Sequence, residues 1–94
     1  MSLLLEYLDS NGWETTRAGT LRIEKDGWIY DWEGTGRLTN LWRWPINRSS
    51  DHEIDIFIIT DETRGLEVAQ GIMSGNHPDS PIRDPKSYKK IGTL

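Results

Sequence analysis

Trp28, Tyr30 and Trp32 alternate along one short segment, and Trp42 and Trp44 alternate along the next. Residues at i and i+2 of a strand share a face, so each segment presents its rings together. Aromatic faces stack on bases and sugar rings and pack on a partner's side chains, and a packed ring covers about 150–250 Å². Arg43 lies between two of these indoles and Arg37 just ahead of them, where a guanidinium would supply the anion contact of a nucleotide site. If the two segments pair, Trp28, Tyr30, Trp32, Trp42 and Trp44 make one surface of four indoles and a phenol. That surface is either the core beneath the helices or a partly open platform. The reverse side of the first segment offers only Ile29 between Asp31 and Glu33, so the aromatic side must be buried. Leu4, Leu5, Leu8, Leu66, Ile72, Ile54, Ile56 and Ile58 already supply a core, and five Trp are more than short helices need to cover. Some indoles are therefore expected at an edge or an interface.

Other chemistry is thinly supported. Asp51-His52-Glu53-Ile54-Asp55 places His52 among acids, but the alternation of a strand turns His52 and Ile54 away from Glu53 and Asp55. A metal would need a third ligand, and with no Cys and only His77 as a second imidazole, neither a structural metal nor a cofactor is expected. His77-Pro78-Asp79 reads as a turn. Gly34-Thr35-Gly36 lacks the helix N-terminus that a phosphate loop requires directly behind it. No serine stands in a nucleophile elbow, so catalysis would have to rest on carboxylates such as Asp31, Glu33 and Asp55.

The elements that hold these residues can be read from pattern and punctuation. Leu4, Leu5 and Leu8 share one face of a short helix that Ser2 can cap and Asn11-Gly12 can stop. Trp13 to Arg17 reads as a strand. Leu21 to Glu24 and Trp28 to Glu33 flank Asp26-Gly27, a pair suited to a tight hairpin turn with positive φ at both positions. Leu38 to Ile46 is a further strand, with Pro45 in an edge-compatible position and Arg43 beside it as partial blunting. Ile54 to Ile59 is apolar on both faces and is expected centrally, with Ile56 and Ile58 in the core. Thr60-Asp61-Glu62 opens a second helix, in which Leu66, Ala69, Ile72 and Met73 recur at helical spacing. Gly65 and Gly71 weaken that helix by up to about 1 kcal/mol each.

The result is an α+β fold of order α-β-β-β-(β)-β-α: a small antiparallel sheet with helices on one face, in one domain over 1–74. Residues 75–94 form an extended, proline-containing tail. Ile82, Tyr88 and Ile91 are apolar anchors and Arg83, Lys86, Lys89 and Lys90 favour an acidic body, so the tail is expected to dock through about Tyr88 with its last residues loose. The element order is similar to that of double-stranded-RNA-binding domains and HicA-type toxins. Leu8, Gly12-Trp13-Glu14 and Arg17 resemble the opening of the toxins. Where those toxins carry Gly-Ser-His this chain has Gly19-Thr20-Leu21, and Asp61-Glu62 stand where the RNA-binding domains need lysines.

Ninety-four residues with a net charge of −4 and a pI near 5.0 argue against bulk binding to a phosphate backbone. Met1 to Leu8 holds three consecutive leucines without a basic stretch or cleavage site, which leaves a cytoplasmic setting and no membrane partner as the expectation. The functional expectation is a small non-enzymatic protein-binding factor: an adaptor, inhibitor or immunity-type protein that covers a macromolecular partner with its aromatic face. A nucleotide- or sugar-binding protein is the alternative, and a minor hydrolase or ribonuclease the third reading. Unpaired sheet edges also make a homodimer an expected partner state.

Overall fold

The structure is a computed structural model that describes residues 3–34, 39–78 and 88–93. Six strands form one sheet: β1 (Glu14–Thr15), β2 (Leu21–Lys25), β3 (Trp28–Glu33), β4 (Thr39–Pro45), β5 (Asp55–Ile59) and β6 (Tyr88–Thr93). They lie in sequence order, each antiparallel to its neighbour. Helix α1 (Leu3–Ser10) precedes the sheet and α2 (Glu62–Met73) stands between β5 and β6. This is the α+β antiparallel architecture expected from the pattern. Among the described residues no helix is long and apolar enough to cross a membrane.

Local chemistry accounts for the element boundaries. Asp26 and Gly27 take φ of 53° and 86°, the left-handed pair that lets β2 turn directly into β3. α1 stops where Asn11 Nδ2 donates to the Tyr7 carbonyl at 2.8 Å and the Trp13 amide donates back to Leu8 O. Ser2 lies outside the described residues, but the Leu4 amide donates to Glu62 Oε1 at 3.2 Å. A carboxylate of α2 thus sits at the positive end of α1. Asp61 caps α2 by accepting from the Thr63 amide at 2.9 Å.

Both helices pack on one face of the sheet. Leu4, Leu8, Val68, Ala69 and Ile72 meet Trp13, Tyr30, Trp32, Leu41, Phe57 and Ile59 there. Three expectations are corrected. β5 is interior as expected, and Ile56 is buried as expected at 9% exposure; Phe57 and Ile59 form its helix side, while Ile56 and the half-buried Ile58 lie on the opposite face, because of their register with Trp42 and Asn40. On α2, Val68 takes the buried place expected of Leu66. β4 is also interior, between β3 and β5, and Pro45 is only its last residue.

The tail contributes a sheet strand as well. Residues 88–93 pair with β5, with a bulge that leaves Ile91 extra between Gly92↔Ile56 and Lys90↔Phe57. The expected loose end is therefore paired from Tyr88 to Thr93, while Ile91 stays 48% exposed. Ile82, Arg83 and Lys86 lie outside the described residues.

The two helix glycines serve close approach. A Cβ on Gly65 would stand 3.1 Å from Leu4 Cδ2, and one on Gly71 would stand 2.8 Å from the Asn76 carbonyl oxygen. The Asn76 amide donates to Gly71 O at 2.7 Å, so the chain folds straight back over this residue. Gly71→Ala therefore destabilises the protein in a urea titration by about 1–3 kcal/mol, the range for overpacking, although Ala is the better helix former by up to about 1 kcal/mol.

Candidate functional site

The β3–β4 register decides where the aromatic residues go. Trp28 pairs with Pro45, Tyr30 with Arg43 and Trp32 with Leu41, whereas Ile29 pairs with Trp44 and Asp31 with Trp42. Cross-strand partners share a face, so the five rings are divided. Trp28, Tyr30 and Trp32 turn toward the helices; Trp42 and Trp44 turn the other way. The single surface of four indoles and a phenol does not form, because pairing with even–odd parity sends alternate residues of the two strands to opposite sides.

On the helix side, Trp13 lies 6.4 Å from both the Tyr30 and Trp32 rings in tilted contacts. Beside them Arg43, only 6% exposed, donates to Asp55 through Nη2 at 2.5 Å and Nε at 3.2 Å, and to the Pro78 carbonyl through Nη1 at 2.9 Å. Its guanidinium also lies 4.4 Å from the Trp28 ring centroid and 5.2 Å from that of Phe57. Lys90 Nζ stands 3.3 Å from the second Asp55 oxygen.

A polar chain leads outward from this pair. Arg43 faces Tyr30 across the β3–β4 ladder, and its charge opposes the rise that burial gives the phenol pKa. Tyr30 Oη is 2.6 Å from His77 Nδ1, and His77 Nε2 is 2.9 Å from Asp26 Oδ2. With the phenol donating to Nδ1, the neutral imidazole carries its proton on Nε2, toward Asp26. The sequence reading of His77 as a plain turn missed this chain, since its members are separated by 47 and 51 positions and no local pattern joins them.

Among the described residues neither helix packs on the opposite face. Across it run Glu14, Arg22, Asp31, Trp42 and Ile56 in one row, Glu24, Ile29 and Trp44 in a second, and Glu33, Asn40 and Ile58 in a third. Arg22 grips Asp31 with Nε and Nη2, both at 2.7 Å; this bond holds the guanidinium above its ordinary pKa. Trp44 sits between two guanidinium groups, with Arg22 at 5.1 Å and Arg48 at 5.5 Å from its ring centroid. Trp42 and Trp44 are half-buried, and the Trp42 indole nitrogen is itself buried. Among the expected binding residues, then, Trp42 and Trp44 stand on the face away from the described helices, Trp28, Tyr30, Trp32 and Arg43 line the core, and Arg37 lies outside the described residues.

His52 is exposed, on a short 3₁₀ turn over Asp51–Glu53. Glu53 accepts from the Ser49 and Ser50 amides at 2.6 and 3.3 Å, and these donors, Ser49 first, lower its pKa. Among the described residues no three His, Asp or Glu side chains converge as metal ligands. Comparison with protein-family models, curated proteins and solved structures gives no match.

Two outcomes test the buried chain. Asp55→Leu alone costs about 3–5 kcal/mol in a denaturant titration, because it strands a buried guanidinium, whereas Arg43→Met with Asp55→Leu recovers most of that loss. Burial pushes the Tyr30 phenol up to about 12. The unfolded phenol ionises near 10, so its contribution is intact below pH 10 and is lost as pH rises toward 12. Tyr30→Phe flattens the fall of stability over that window, as read by urea titrations at successive pH values.

Proposed function

We propose that this protein is a small binding factor without catalytic activity, which acts by laying its open sheet face on a macromolecular protein partner. The observation that carries the reading is the division of the indoles. A chain this short leaves a large share of its surface exposed, yet it spends the half-buried Trp42, Trp44, Ile29 and Ile58 on the side away from both described helices. Aromatic and aliphatic side chains at the centre of a patch, with Arg stacked on them and carboxylates around, are the composition of an interface core and rim. Two of the three carboxylates named for catalysis are held in ion pairs, Asp31 by Arg22 and Asp55 by Arg43 and Lys90, and the third, Glu33, is an exposed residue at the end of β3.

The ligand-binding alternative has less support, since Arg43, one of its two candidate anion contacts, is inside the core and the other, Arg37, lies outside the described residues. A groove of about 670 Å³ between α1 and the β1–β2 edge, floored by Leu5 and Leu21, is rimmed by Glu6 and Asp9, which repel phosphates.

Affinity capture from the native host with the wild-type chain and with Trp44→Ala, followed by titration of each purified captured protein, tests the reading. A partner lost by at least about tenfold in Trp44→Ala, at unchanged thermal stability, is the expected result, since an interfacial Trp removes about 2 kcal/mol or more. Retention of every partner by that variant, or a response of Trp fluorescence to nucleotides or sugars instead, would overturn it.

A further inference from the structure

The uncovered face is not uniform, and its two halves point to the chemistry of what it meets. Over β4 and β5 it is mostly apolar, with the half-buried Trp42, Trp44 and Ile58 around a buried Ile56 and with Asn40 as its polar member. Over β1 to β3 it carries the exposed carboxylates of Glu14, Glu24 and Glu33. Arg22 offers that half little positive charge, because its Nε and Nη2 are both engaged by Asp31. Arg48 stands on the apolar side over Trp44, within 3.5 Å of Asp51.

This division bears on each occupant in turn. A nucleic acid would set its phosphates against the carboxylate half. A second copy packed sheet on sheet, with strands aligned, has two twofold arrangements. An axis across the strands sets β1 over β1, carboxylates upon carboxylates. An axis along the strands sets β1 over β6, so that carboxylates lose water against indoles and isoleucines. Both are costly. A different protein with an apolar patch beside Lys and Arg meets neither penalty. The sheet is wide enough for one: six strands spaced about 4.8 Å, of about five residues at 3.3 Å each, give a plan of roughly 25 by 17 Å. Side-chain relief and the surrounding loops bring this toward the roughly 800 Å² per partner of a standard interface.

We infer that the occupant of the open face is a basic protein surface, its apolar patch on Trp42 and Trp44 and its cations on Glu14, Glu24 and Glu33. This rests on the reading of the open face as the binding surface. The net charge of −4 steers such a partner toward the chain.

Calorimetric titration of the purified chain tests it, with two synthetic amphipathic peptides of equal length and apolar content, one flanked by Lys and one by Glu. The Lys peptide binds at least about tenfold more tightly, and high salt shrinks the difference. Glu14→Lys with Glu24→Lys removes or inverts the preference. Glu6→Lys with Asp9→Lys, an equal change of charge on α1, leaves it in place. No binding of the Lys peptide, equal binding of the two peptides, or equal loss in the α1 variant overturns the basic partner. So does a sedimenting dimer, or binding of polyuridine RNA, that Trp44→Ala abolishes. If Trp44→Ala weakens both peptides while charge reversal changes nothing, the open face stands and only the basic partner falls. If Trp44→Ala changes nothing, the open-face reading itself fails.

Discussion

A guanidinium taken out of water is tolerable only when its donors find acceptors and its faces find rings or hydrocarbon. Arg43 meets that condition by drawing on the whole chain. Asp55 comes from the neighbouring strand, the Pro78 carbonyl from beyond α2, Trp28 from β3 and Phe57 from β5. Lys90, from β6, then holds the other oxygen of Asp55. Each contact fixes one element against another, so a residue that would otherwise be a defect in the core specifies how the core is assembled. An apolar residue there would fill the space and leave register and loop position less constrained.

Register is where that constraint reaches function. Arg43 faces Tyr30 across β3–β4, and a slip of one residue would carry it to the far side while bringing Trp42 and Trp44 inward. The pairing that buries the cation therefore also expels two indoles. The uncovered aromatic face and the buried ion pair are two consequences of one alignment. Arg22 with Asp31 gives the opposite face a paired charge of its own at the next strand junction, beside the half-buried rings.

How much of this could be read beforehand differs by length scale. The β2–β3 hairpin was legible because Asp26-Gly27 states its turn in two residues, and α1 because Asn11-Gly12 states its stop. Alternation within a strand was legible too, so Trp28, Tyr30 and Trp32 are together, as are Trp42 and Trp44. What no local pattern contains is the parity between strands, and that alone put the two sets on opposite faces. β6 was hidden for a related reason: Lys89, Lys90 and Gly92 look like solvated tail, and their value as a strand depends on β5 already offering an edge. His77 carried no signal at all, since its partners Tyr30 and Asp26 come from the other end of the sheet. Leu66 lost its expected place to Val68 through the rotation of α2, which the close contact of Gly65 with Leu4 and Ile59 sets.

The order of contacts along the chain suggests how these parts depend on one another. β1 to β5 run as a meander in which each strand pairs with the one before it, so their contacts close short loops at small entropic cost. β6 is different: it reaches β5 only after α2 and a further connection. What makes its docking favourable is prepared by the meander. Once β4 and β5 pair, Arg43 and Asp55 are juxtaposed in a space that still lacks acceptors and a second cation. The Pro78 carbonyl and the Lys90 ammonium supply them, and His77 closes over Tyr30 on the same path. The Pro78 carbonyl and the Lys90 ammonium thus tie the C-terminal segment to the buried Arg43–Asp55 pair. The face that carries Trp42 and Trp44 is set by the locally paired strands β3 to β5, and β6 extends it through the Gly92↔Ile56 and Lys89↔Ile58 pairs.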